Sequence, residues 1–98
     1  MKTIKTKFGT AALNISNYTE GGMTAIRLFD VEDHCPIGTL TSNFPDALSE
    51  LNKGEFFVKG WAENETFIED CRNSGLFVDT GKRYKSGYVT AEIWRFKE

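Results

Sequence analysis

Residues 88–96 read YVTAEIWRF, and extended backbone divides their side chains into two sets. Successive side chains of a strand point to opposite faces. Val89, Ala91 and Ile93 therefore share one face, and Tyr88, Thr90, Glu92, Trp94 and Phe96 share the other. The run is β-branched and aromatic, which predicts a strand. The first face is small and aliphatic, suited to pack under a helix. The second carries three aromatics and is not expected to stay open to water. The chain itself, a second copy of it, or a partner must cover it.

The residues before this strand punctuate it. YKSG at 84–87 and DTG at 79–81 read as turns, and LFV at 76–78 as a short extended segment. Residues 63–74 read as the principal helix, with Phe67, Ile68 and Cys71 on one face. Early acids suit its N-terminus, Arg72 its last turn, and Gly75 its C-terminal stop. Upstream, FFVKGWAENE at 56–65 reads as a core strand, a turn at Gly60 and the helix start; Lys59 alone has no structural assignment.

Nearer the N-terminus, alternation at 11–16 and 23–29 around Gly21-Gly22 predicts a hairpin. IGTLTS at 37–42 predicts a further strand, and residues 4–8 a short edge strand. The sum is an α+β domain spanning residues 1–98. It holds a mostly antiparallel sheet of about five strands with one principal helix packed on one face.

Composition excludes several classes. Of 98 residues 27% are charged, 40% hydrophobic and thirteen aromatic, a globular balance rather than a disordered one. No apolar run approaches a membrane span. The opening MKTIKTKFG has no apolar core and predicts no signal peptide, so the two cysteines, Cys35 and Cys71, are expected to be reduced thiols in a cytoplasm. Charge is partitioned along the chain. Residues 1–7 and 82–98 together carry a net +6, whereas residues 8–81 carry a net −8. Lysines on edge strands that discourage pairing would produce this, and so would a basic surface on an acidic body.

Catalytic constellations are weak. Asp33-His34-Cys35 concentrates the right residue types, but adjacent side chains do not aim at one another, and a Cys–His pair needs contact in space. No CxxC or HxxxH spacing supports a metal, and no P-loop, GxGxxG or EF-hand loop supports a cofactor. No enzyme activity and no cofactor are expected. KRYK at 82–85 places an aromatic between bases, a composition that suits phosphate or nucleic acid, although one short run in a chain of pI 5.4 is slender support.

The order of segments resembles a family of short phage, plasmid and conjugative-element proteins known as a domain of unknown function (DUF4313). The matching stretches are AIRL at 25–28, TLTSN at 39–43, FVKGWAENE at 57–65, Gly75, Phe77, TGK at 80–82 and SGYVTAEIWRF at 86–96. Two departures stand out: Ala62 where the family often has Ser, and Lys82 where Arg is usual. A serine at 62 with Glu65 would make a capping box, so Asn64 or the backbone is expected to cap the helix instead. The resemblance implies a setting rather than a mechanism. Small proteins of mobile elements often block a host defence system stoichiometrically, as anti-CRISPR proteins do.

The expected function is therefore non-enzymatic binding in the cytoplasm of a bacterial host, with a host or phage protein as the leading partner. A small phosphorylated nucleotide signal, a nucleic acid and a second copy are the alternatives; no membrane is expected. The binding residues singled out are Lys59, Lys82, Arg83, Tyr84, Lys85, Tyr88, Trp94 and Arg95.

Overall fold

The computed structural model describes residues 2–97. Seven strands form two antiparallel sheets. Strands β1 (Thr3–Thr6), β2 (Gly9–Asn17), β3 (Thr24–Asp30) and β4 (Pro36–Thr39) pair in chain order. Strands β5 (Glu55–Val58), β6 (Phe77–Ser86) and β7 (Val89–Phe96) form the second sheet in the order β5-β7-β6. The α+β class and the antiparallel pairing agree with the sequence reading; the strand count does not. DTG at 79–81 and YKSG at 84–87 read as two turns in the sequence, yet β6 runs through the first as a bulge between Asp79 and Arg83. Gly81, with φ +86°, gives the chain the left-handed residue that a bulge of this kind uses.

The sheets meet at one seam. Thr41 stands opposite Val58 as a single antiparallel bridge. The Ser42 amide donates to the Phe57 carbonyl, and the Lys59 amide to that of Leu40. The seam ties β5 to the chain after β4. β1 and β6 are left as the outer strands; Lys5 lies on the first and Lys82, Arg83 and Lys85 on the second, while Arg95 lies on the central strand β7. The structure thus supports the edge-lysine reading of the charge partition.

The principal helix is shorter than its periodicity predicts. Residues Ala62–Thr66 form a 3-10 helix, and only Ile68–Arg72 is α-helical (α1). Phe67 breaks the run with φ −132° and ψ −2°. Its ring packs so closely on β4 that a side chain at Gly38 would meet it at 2.8 Å. Asn64 does not cap the helix but is fully buried. Its Nδ2 donates to the carbonyls of Thr39 at 2.7 Å and Lys59 at 2.8 Å. Two otherwise unpaired backbone acceptors are thereby satisfied. Ala62 takes the left-handed conformation, φ +58°.

The three-stranded sheet is covered on both sides, which explains the unbroken apolar run at 56–58; all four residues of β5 are buried. Phe57, Ile93, Ala91 and Tyr84 face one way. Phe44 packs on Phe57 and Tyr84 at 5.1 and 5.2 Å between ring centroids, beside the 3-10 helix Pro45–Glu50. Phe56, Phe77, Trp94 and Phe96 face the other way as one aromatic cluster, with centroids 5.2–6.0 Å apart. α1 lies on this second side, so the helix covers the aromatic face and not the Val/Ala/Ile face expected to receive it. Arg72 sits 5.5 Å over the Trp94 ring, and Lys2 5.7 Å over Phe96. Trp94 is 1% exposed. The chain itself covers Trp94 fully and Phe96 in part, whereas Tyr88 at the end of the same face stays open.

Candidate functional site

The eight residues expected to bind do not form one surface. Lys59 pairs with Glu63 at 2.8 Å, which gives it the structural role the sequence did not reveal. Lys82 reaches across the sheet to Glu55 at 2.6 Å and to the Glu50 carbonyl at 3.1 Å. Arg83 forks onto Asp79, with both contacts at 3.0 Å. Tyr84 packs between Phe44 and Phe57, and Trp94 is buried. Lys85, Tyr88 and Arg95 remain exposed. Arg95 lies near the far end of β7, opposite Glu55 and Val78, away from the other two.

Lys85 and Tyr88 flank the β6–β7 turn. Ser86 faces Val89 across a two-residue loop of Gly87 and Tyr88. Gly87 has φ +60° and Tyr88 a negative φ, the pattern of a type II′ turn, which suits strand twist. Tyr88 is fully exposed at this tip.

Beneath the tip lies a charged network. Arg72 bonds both Glu92 oxygens, at 2.6 and 3.1 Å, and Glu69; it also approaches Asp79 at 3.6 Å. The Trp94 indole N–H donates to Glu92 at 2.9 Å. Hydrogen bonding from Arg72 holds the Glu92 carboxyl below its ordinary range against the opposing effect of burial. Arg83 does the same for Asp79. Burial pushes the Glu55 carboxyl up, but the bonds from Lys82 and Asn52 outweigh it and leave it lowered. The carboxyls of Glu92, Asp79 and Glu55 are thus driven further from neutrality, which suits them to hold charge and brace the sheet rather than to carry a proton.

The Asp33-His34-Cys35 segment closes the β3–β4 hairpin. Asp33 accepts from the Cys35 amide at 2.9 Å, and Asp30 from that of Glu32 at 2.8 Å. Hydrogen bonding to Asp33 raises the Cys35 thiol above its ordinary value, the wrong direction for a nucleophile. No group of three His, Cys, Asp or Glu side chains able to hold a metal occurs among the described residues.

A second surface was not anticipated. On the face of the four-stranded sheet that carries Ala12, Asn14, Arg27 and Phe29, a pocket of about 340 Å³ is lined by Ala12, Leu13, Asn14, Phe29 and His34. His34 reaches it because it takes φ +63°, a left-handed conformation more usual for Gly or Asn. The strand alternation at 11–16 and 23–29 placed Ala12, Asn14, Arg27 and Phe29 on matching faces. Only the hairpin conformation places His34 beside them.

No family model, no curated protein and no solved structure matches the chain.

Proposed function

We propose that this chain is a small non-enzymatic binding protein of a phage or mobile element, working in the cytoplasm of a bacterial host as a stoichiometric inhibitor of a defence system. Its docking element is the tip of the β6–β7 hairpin. The observation that carries this reading is Tyr88, a tyrosine left fully exposed on a tight turn. Tyrosine is enriched at protein interfaces because it offers a large, stiff apolar surface with a polar end. The ion pairs of Arg83 and Arg72 brace the strands below, so little order remains to be gained on docking. Lys85 adds an exposed charge beside the ring. The mobile-element setting draws on the family resemblance.

The test is infection of defended and undefended hosts expressing the wild type, Tyr88→Ala or Lys85→Glu. Both variants are expected to melt like the wild type and to lose protection of the phage only in the defended host. Full protection by both variants would overturn this docking site.

A further inference from the structure

Lys82 and Arg83 of β6 are spent inside the fold, but Arg27 on the open face of the four-stranded sheet is not. Among the described residues no ion pair engages Lys5 or Arg27, and no hydrogen bond engages the side chains of Asn14 or His34. All four residues are exposed. Pairing places Asn14 opposite Arg27, and Ala12 between Thr3 and Phe29. Lys5 lies two residues along β1 from Thr3 in the direction away from Arg27, where it lines a separate pocket with Asp70. Arg27 lies two residues along β3 from Phe29, about 6.6 Å away on the same face. Two of the three acids of the adjacent hairpin bond backbone: Asp30 accepts from the Glu32 amide and Asp33 from that of Cys35.

One half-exposed aromatic ring therefore lies beside the small side chain of Ala12, with an imidazole and an amide at the pocket rim and the Arg27 cation two residues along the strand. We infer that this face binds a nucleotide, its base against Phe29 in the His34 pocket and its phosphate on Arg27. The ring offers a stacking surface for any base. Asn14 and His34 offer donors and acceptors to a base edge, and the guanidinium matches a phosphate in fork geometry. A pocket of about 340 Å³ is the size of a small-ligand site. The strained backbone of His34 fits as well, because left-handed non-glycine residues gather at ligand sites. This site lies on the other sheet from Tyr88, so it is an activity separate from hairpin docking. An acidic peptide would use the cation but leave the ring and pocket uncovered.

The experiment is amide NMR titration of the full chain with uridine monophosphate, a short oligouridylate, inorganic phosphate and oligoglutamate. Nucleotide is expected to shift the amides of Ala12, Asn14, Arg27, Phe29 and His34. Phe29→Ala should weaken nucleotide binding by about five- to a hundredfold. Arg27→Glu, on an exposed position, should weaken it without affecting the fold, and Lys53→Glu should leave it unchanged. Equal affinity for mononucleotide and oligomer identifies a free nucleotide as the ligand; tighter, steeply salt-dependent binding of the oligomer identifies a strand. No shifts at these residues, or the same shifts and affinity with phosphate or oligoglutamate, would overturn the inference.

Discussion

Arg72 and Glu92 lock the helix to the sheet: Nη1 lies 2.6 Å from Oε1 and Nη2 3.1 Å from Oε2. The same guanidinium covers the ring of Trp94, which in turn donates to Glu92. Three side chains from α1 and β7 thus complete one another's coordination. Arg72→Ala is expected to cost about 1–2 kcal/mol, because it uncovers Trp94 and unpairs Glu92. Arg72→Lys should restore less than half, since an ammonium cannot fork. Urea unfolding midpoints check both.

The same carboxylates set the acid limit. Glu92, Asp79 and Glu55 all titrate lower in the folded chain than their ordinary values of 4.5, 3.8 and 4.5. Stability from a depressed carboxyl is complete above its unfolded value and is lost as pH falls through the folded one. Stability should therefore hold from neutral pH down to about 4.5 and fall below it. Glu92→Gln should make that fall shallower in a melting series against pH.

Asn64→Ala leaves the Thr39 and Lys59 carbonyls without their side-chain donor in a dry interior. The expected loss is about 2–3 kcal/mol. Asn64→Asp should be worse, because a carboxylate would face two carbonyl oxygens. Chemical denaturation distinguishes the three proteins.

Ala62 holds a backbone conformation that glycine adopts without strain. Ala62→Gly is expected to raise stability by about 0.5–1 kcal/mol, a gain visible in the thermal midpoint. In the middle of a regular helix the same change would cost a similar amount, so the sign reports the local structure.

The two cysteines should differ sharply toward thiol reagents. Cys71 is fully buried, and burial pushes its thiol up to about 12, whereas Cys35 is exposed. Iodoacetamide should label Cys35 alone in the native protein and both residues in urea, as intact-mass measurement would show.

Local pattern made much of the fold legible. The β2–β3 hairpin, β5 and β7 lie where alternation and turn residues put them. The helix is shorter than the expected 63–74, because periodicity reports apolar spacing, not the demands that one nearby and one distant carbonyl, of Lys59 and Thr39, make on Asn64. The turn signals at 79–81 marked a bulge, since a left-handed glycine serves both. The binding residues were the least legible part. Lys82 looks free in sequence, and its acid, Glu55, is supplied by another strand. Arg72 read as a favourable end to a helix, yet it is the lid on Trp94. Pairing across strands decides which charges are available, and a linear charge count cannot register it.

The Thr41 seam has a consequence for how the molecule comes apart. The Thr41 hydroxyl also meets the Tyr18 hydroxyl at 2.9 Å and accepts from the Ile26 amide at 3.1 Å, so one side chain stitches β3 to the neighbourhood of β5. The first sheet is built of sequence-adjacent hairpins, which close short loops, whereas the seam and the β5–β7 pairing close long ones. Backbone pairing between the halves is then confined to a narrow strip, laid over one hydrophobic core that both sheets share. Thr41→Val should loosen this strip, and hydrogen exchange would register it as faster exchange at the Ile26, Ser42 and Lys59 amides than in the wild type.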